Sequence, residues 1–92
     1  MAPPASDGPM RVRVLLFATY REIVGTKELP WTADAGTTLA QFLDAFLAAH
    51  PRLAPHRGSM MVAVNLSVAE PSALLHEGDE VALLPPVSGG LA

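Results

Sequence analysis

The sequence predicts an α+β domain in which one mixed β-sheet packs on a single long helix. Three observations predict it. Apolar residues alternate along Arg11 to Ala18, recur with a helical period from Leu39 to Leu47, and return in a short strand-like run at Glu80 to Leu84. Half of the 92 residues are apolar and 16% are charged, a balance that suits one modest core and excludes a disordered chain.

Along Arg11-Val-Arg-Val-Leu-Leu-Phe-Ala18, Val12, Val14 and Leu16 fall on one face and Arg11, Arg13, Leu15 and Phe17 on the other, the period of two that marks a strand. Tyr20, Ile23 and Val24 then sit at helical offsets within Thr19 to Val24, and Gly25 supplies a stop, so one short helical turn is expected. A second strand follows around Lys27 to Thr32, assigned to an edge or an irregular stretch by Pro30, which has no N–H for a ladder.

Ala33 to Thr37 is turn-like, and Thr38 with Gln41 three residues on fits a capping box that opens a helix. Leu39, Phe42, Leu43, Phe46 and Leu47 keep one helical face apolar, each contributing about 1.5–3 kcal/mol when buried. His50-Pro51 ends that helix. Residues 51–59 hold Pro51, Pro55 and Gly58 and read as a surface connection, after which Met60 to Val64 is a continuous apolar run suited to a buried strand. Asn65 turns the chain into a short return strand, Leu66 to Ala69. Pro71 to Leu75 is expected to be irregular or 3₁₀, and Glu77-Gly78-Asp79 to be a tight turn feeding the last strand, Glu80 to Leu84.

The first and last strands are the most apolar, which makes them central neighbours, and a right-handed crossover through the helix makes them parallel. The resulting architecture is a ubiquitin-like β-grasp, a mixed sheet packed on one long helix. A ferredoxin-like fold would need a second full-length helix, and the pattern offers none. The domain is expected over residues 10–85. Residues 1–9, MAPPASDGP, are expected to be a disordered leader and residues 86–92 a flexible C-terminal tail, since neither has an apolar period to offset about 1–2 kcal/mol of ordering entropy per residue.

Composition also narrows function. Six Lys and Arg against nine Asp and Glu give a net charge of -3, without the basic excess that a phosphate backbone demands, so no nucleic-acid partner is expected. With no cysteine there is no disulfide, thiol nucleophile or thiolate zinc site, which leans towards a cytoplasmic protein. The longest apolar runs, such as Val14 to Tyr20, reach about seven residues where a membrane span needs roughly 20, and the leader lacks the basic, apolar, small-residue order of a secretory signal. No membrane partner is expected.

His50 and His56 span a proline-broken loop, and no carboxylate has helical ligand spacing to these or to His76, so the three read as surface histidines and no metal site is assigned. Asp79 and Glu80 read as turn-forming and solubilising rather than as an acid–base pair. No nucleophile elbow, P-loop or dinucleotide-binding glycine motif occurs.

What remains is Leu84-Pro-Pro-Val-Ser-Gly-Gly-Leu-Ala92. Pro85 and Pro86 stiffen the exit from the last strand, and Gly89 and Gly90 lack the Cβ that would keep a tail out of a narrow channel. On Gly-Gly alone an ordinary frayed terminus is the better account of this stretch.

In combination, Val14-Leu-Leu-Phe-Ala-Thr-Tyr-Arg-Glu-Ile-Val-Gly25, Val62-Ala-Val-Asn65, Leu75-His-Glu-Gly-Asp-Glu-Val-Ala82 and Leu84-Pro-Pro-Val-Ser-Gly-Gly90 resemble the small sulfur-carrier subunit of molybdopterin synthase. That family is ubiquitin-like and related to the thiamine sulfur carrier. The Pro-Pro-Val and Phe-Ala-x-x-Arg-Glu elements favour its molybdopterin branch. The resemblance implies a non-catalytic carrier subunit for molybdenum cofactor biosynthesis whose activity resides in the complex. Gly90, at the end of a tail containing Gly89, would be adenylated by a ubiquitin-activating-like partner enzyme, converted to a thiocarboxylate, and docked into the large subunit of molybdopterin synthase.

No tightly bound cofactor is implied; ATP is used by the activating partner. The resemblance further assigns Phe17, Val68 and Leu84 to an apolar docking patch, against partial core burial as the alternative, with Arg21 on its rim and Pro85 and Pro86 at the tail's exit. One departure stands out: Leu91-Ala92 follows Gly90. It implies removal by a peptidase, unless the pair is foreign to the natural chain or the copy is inactive. A carrier for thiamine or cysteine synthesis, and a ubiquitin-like protein modifier joined through Gly90 to lysines, are the other readings.

Overall fold

The computed structural model describes residues 8–86, so what the sequence suggests for residues 1–7 and 87–92 lies outside the described residues. The chain runs β1 (Met10–Leu16), α1 (Ala18–Val24), β2 (Glu28–Ala33), α2 (Leu39–Ala49), a 3₁₀ helix (Ala54–Ser59), β3 (Met61–Val64), β4 (Ser67–Val68) and β5 (Glu80–Leu84). The five strands form one mixed sheet in the order β2-β1-β5-β3-β4. β1 and β5 are parallel neighbours, with Val14 opposite Val81 and Leu16 opposite Leu83, as their apolar character requires.

The core lies between one sheet face and α2. Val12, Val14 and Leu16 of β1 and Val81 and Leu83 of β5 are buried together with Leu39, Phe42, Leu43, Phe46 and Leu47 of α2. α2 starts on the expected box, the Thr38 hydroxyl accepting from the Gln41 N–H at 3.2 Å and the Gln41 side chain accepting from the Thr38 N–H at 3.0 Å. It closes at His50, whose N–H donates to Phe46 at 3.0 Å. Helix α1 ends in the same economical way: Gly25, at φ 95°, takes a left-handed turn that a Cβ would oppose, and its N–H donates to Arg21 at 2.8 Å.

β2 is an edge strand, as Pro30 demands. Its inward residues are half-buried, and Trp31 meets Phe42 and Phe46 edge-on at ring distances of 6.0 and 5.1 Å. This aromatic cluster closes the side of the core that α2 alone leaves open.

Two expectations require correction. The stretch 51–59 is more than a surface connection: Leu53 is completely buried, and a 3₁₀ helix carries the chain from there back to the sheet. A single buried leucine between prolines produces no period for a sequence pattern to reveal. The run Met60 to Val64 is also not uniformly buried, since Met61 is exposed and Val62 to Val64 are half-buried. β3 alternates between a core face and an open face, and its residues happen to be apolar on both.

Candidate functional site

Residues directly opposite one another in a sheet share a face. Val62 lies opposite Leu83, and Val64 opposite Val81, which places them on the core side. The intervening positions therefore form the other side: Met61 opposite Leu84, Ala63 opposite both Ala82 and Val68, and Leu15 opposite Ala82. Much of this surface is open, with Met61 47% and Val68 79% exposed. A sheet face that carries methionine, leucine, valine and alanine towards solvent is an apolar patch of the kind that binding surfaces use.

Phe17 joins the surface at the end of β1. Its N–H donates to the Leu83 carbonyl at 3.3 Å, so the residue continues the parallel pairing beside Leu84, and its side chain is 43% exposed. The chain then turns sharply at Ala18, φ 51°, into α1. Arg21 lies one turn into α1, exposed, and enters no ion pair among the described residues. Leu84 and Pro85 are half-buried and Pro86 is exposed, where the chain leaves the sheet.

Thus Phe17, Val68 and Leu84 occupy the open face, Arg21 a neighbouring helix, and Pro85 and Pro86 its exit. Gly89 and Gly90 lie outside the described residues. Met61, Leu15, Ala63 and Ala82 complete the patch and were not singled out by sequence reasoning. Parity along β1 already separates Leu15 from the core side, whereas Met61 and Ala63 need the register between β3 and β5 before their side can be read.

Towards the opposite end of β1 the same face becomes charged. Arg13 pairs with Glu28 at 3.2 Å and with Glu80 on the other neighbouring strand. With Arg13 about half exposed, this network marks the polar margin of the patch and contributes little stability.

Asp79 and Glu80 do not form an acid–base pair. Glu80 faces Arg13, while Asp79 is nearly enclosed and accepts from the Asn65 side chain at 2.9 Å and from the His76 N–H at 2.8 Å. Asn65, at φ 52°, completes the clamp by accepting from the Glu80 N–H at 3.0 Å. Gly78, at φ 85°, donates to the Arg11 carbonyl at 2.8 Å, and Glu77 accepts from the Arg11 N–H at the same distance. The Gly-Asp-Glu turn and Asn65 therefore hold β5 against β1 and the β3–β4 turn.

The three histidines have separate surroundings. His50 packs on Phe46 at a ring distance of 4.5 Å, His56 on Tyr20 at 5.5 Å, and His76 is exposed beside Asp79. No group of three His, Asp or Glu side chains converges among the described residues. A concavity of about 550 Å³ between β2 and the start of α2 has Asp34 as its one ionisable lining residue among the described residues. No helix among the described residues is long and apolar enough to cross a membrane.

The sequence matches the ThiS family model over residues 14–90. It is 35% identical over 81 residues to the molybdopterin synthase sulfur carrier subunit of Arabidopsis thaliana, covering 88% of this chain and 84% of that one. The fold superposes on the crystal structure of SAMP1 from Haloferax volcanii with a TM-score of 0.77 at 33% identity, covering 87% and 99% of the two chains. It also superposes on a chain in the protein–protein complex of subunits 1 and 2 of the molybdopterin-converting factor from Helicobacter pylori, with a TM-score of 0.61 at 32% identity and coverage of 88% and 100%. With its β-grasp sheet, its Asn65 and Gly-Asp-Glu clamp and a match that runs through Gly90, this chain belongs to the ThiS family, alongside the molybdopterin synthase sulfur carrier subunits.

Proposed function

We propose that this protein is the sulfur carrier of molybdenum cofactor biosynthesis, working in the cytoplasm and carrying sulfur as a thiocarboxylate on Gly90. The observation that carries the reading is the open apolar face of Phe17, Met61, Val68 and Leu84, set beside the strand whose end leads through Pro85 and Pro86 towards Gly89 and Gly90. The relatives support the choice of pathway, and the Helicobacter pylori complex supports a second subunit as the occupant of that face.

The chemistry follows from the carboxylate. A carboxylate is a poor electrophile, so a partner enzyme joins it to AMP from ATP with release of pyrophosphate, and a sulfur nucleophile then displaces AMP. Phe17, Met61, Val68 and Leu84 would dock the loaded carrier on the large synthase subunit, Arg21 would hold the rim, and the two prolines would direct a narrow tail into the partner's site. The carrier supplies the sulfur and its delivery; the pterin chemistry belongs to the complex.

Likeness to SAMP1 favours a second reading, a protein modifier joined through Gly90 to lysine amines. Intact-mass analysis of the protein from its own cells, with pull-down of its partners, separates the two. A carrier shows a chain ending at Gly90 with one oxygen replaced by sulfur and recovers the large synthase subunit. Denaturant-resistant conjugates of higher mass, without a thiocarboxylate, would overturn the carrier reading in favour of the modifier.

A further inference from the structure

Met61 stands opposite Leu84 on the open face, one residue before Pro85 begins the exit of the tail. Its neighbour Met60 is half-buried and Met10 is 5% exposed, whereas Met61 is 47% exposed. Met61 is thus the most exposed of the described methionines, and it lies on the same face as the docking residues.

We propose that Met61 is an oxidation site at which hydroperoxides switch off docking. The inference rests on the docking reading above. The Met61 sulfur attacks one oxygen of the hydroperoxide, the O–O bond breaks, and an S–O bond forms. Sulfur gives up two electrons, the attacked oxygen gives up its proton, and the second oxygen takes a proton and leaves as water or an alcohol. The product is methionine sulfoxide, a strong hydrogen-bond acceptor on a side chain that was apolar, and reductases reverse it.

The position makes the modification selective in its effect. The Met61 side chain points away from the core layer of Val62, Leu83 and Val81, so the sulfoxide disturbs no core packing. In the free carrier it is hydrated at no cost. In the complex it is pressed between apolar surfaces, and binding must strip its water without offering a partner.

The test uses the full chain, hydrogen peroxide as oxidant, peptide mass mapping for site occupancy, and binding to the large subunit of molybdopterin synthase as readout. Met61 is expected to oxidise before Met10 and Met60, affinity to fall at least tenfold as its sulfoxide accumulates, and methionine sulfoxide reductase to restore it. Met61→Leu is expected to hold, through peroxide treatment, the affinity it shows before treatment. Earlier oxidation of Met10 or Met60, full Met61 oxidation with unchanged affinity, or an equal loss in Met61→Leu would each overturn the proposal. Failure of the docking reading is recognised separately: unoxidised Phe17→Asp would then bind as tightly as the parent chain.

Discussion

Asn65 and Asp79 are joined side chain to side chain, the amide of one donating to the carboxylate of the other at 2.9 Å across fourteen positions of sequence. The pair does more than close a contact. Asn65 also receives the Glu80 N–H, and Asp79 receives the His76 N–H, so the β3–β4 turn and the turn before β5 are fixed to each other. Because β5 is the middle strand, the clamp fixes where it enters the sheet.

Asp79→Ala is therefore expected to destabilise the fold by about 2 kcal/mol, since it removes two charge-assisted acceptors and orphans the donors they served. Asn65→Ala is expected to cost a comparable amount, and the double variant less than the sum. Urea unfolding of the four chains checks this. Strict additivity would show that the two side chains act separately.

Phe17→Asp is expected to leave the midpoint of unfolding within a few degrees of the parent, because the ring is 43% exposed and lies outside the buried core. Association with the large synthase subunit is expected to weaken at least tenfold, about 1.4 kcal/mol, through an unpaired charge in an apolar contact. Calorimetric titration measures it, and unchanged affinity removes Phe17 from the patch.

Leu66 presents the opposite case, a side chain that costs stability where it stands. It shares the two-residue turn between β3 and β4 with Asn65, both at positive φ, and it is 90% exposed. A β-hairpin turn of this kind favours Asn-Gly, and leucine in the left-handed region is strained. Leu66→Gly is expected to stabilise the chain by about 0.5–1 kcal/mol, read as a higher unfolding midpoint. A lower midpoint would mean that Leu66 packs on something that the strained backbone secures.

Much of this architecture was legible in residue order because local and global preferences agree. The capping box at Thr38, the apolar stripe from Leu39 to Leu47 and the edge position forced by Pro30 each act within a few residues. Leu53 was not legible, because one buried leucine between prolines has no period. Met61 was hidden for a different reason: an apolar residue in an apolar strand declares its face only once the opposing strand is known. Family resemblance assigned Phe17, Val68 and Leu84 to one patch, and the register puts all three on one sheet face. The structural role of Asp79 emerged only when Asn65, distant in sequence, was brought beside it.

Tyr20 provides a pH-dependent check. Its ring is buried, its hydroxyl has no hydrogen-bond partner among the described residues, and burial pushes the phenol above its ordinary value. The unfolded chain releases this proton from about pH 10 upward while the folded chain still holds it, so stability is expected to fall as pH rises beyond that point. Tyr20→Phe is expected to lessen the alkaline loss and, near neutrality, to change stability by less than about 1 kcal/mol, since no hydrogen bond is lost. Chemical unfolding at pH 7 and pH 11 measures both. A loss of several kcal/mol at pH 7 would assign the hydroxyl a partner.

Sulfur can be loaded only onto a residue whose carboxylate is free. Adenylation needs a free carboxylate on the residue that will carry the thiocarboxylate, and in a chain that continues through Leu91 and Ala92 the Gly90 carbonyl belongs to a peptide bond. Activation at Ala92 would add a Cβ and a leucine side chain beyond Gly89 and Gly90, which have none. A protein ending at Gly90 is therefore expected to form first the acyl adenylate and then the thiocarboxylate when mixed with the activating enzyme, ATP and a sulfur donor. The 92-residue protein is expected to remain unchanged until a peptidase removes Leu91 and Ala92. Mass spectrometry of the two proteins side by side decides the matter. Equal thiocarboxylate on Ala92 would show that trimming is unnecessary, whereas no product from the shorter protein, with the enzyme active on another carrier, would remove Gly90 as the sulfur-bearing residue.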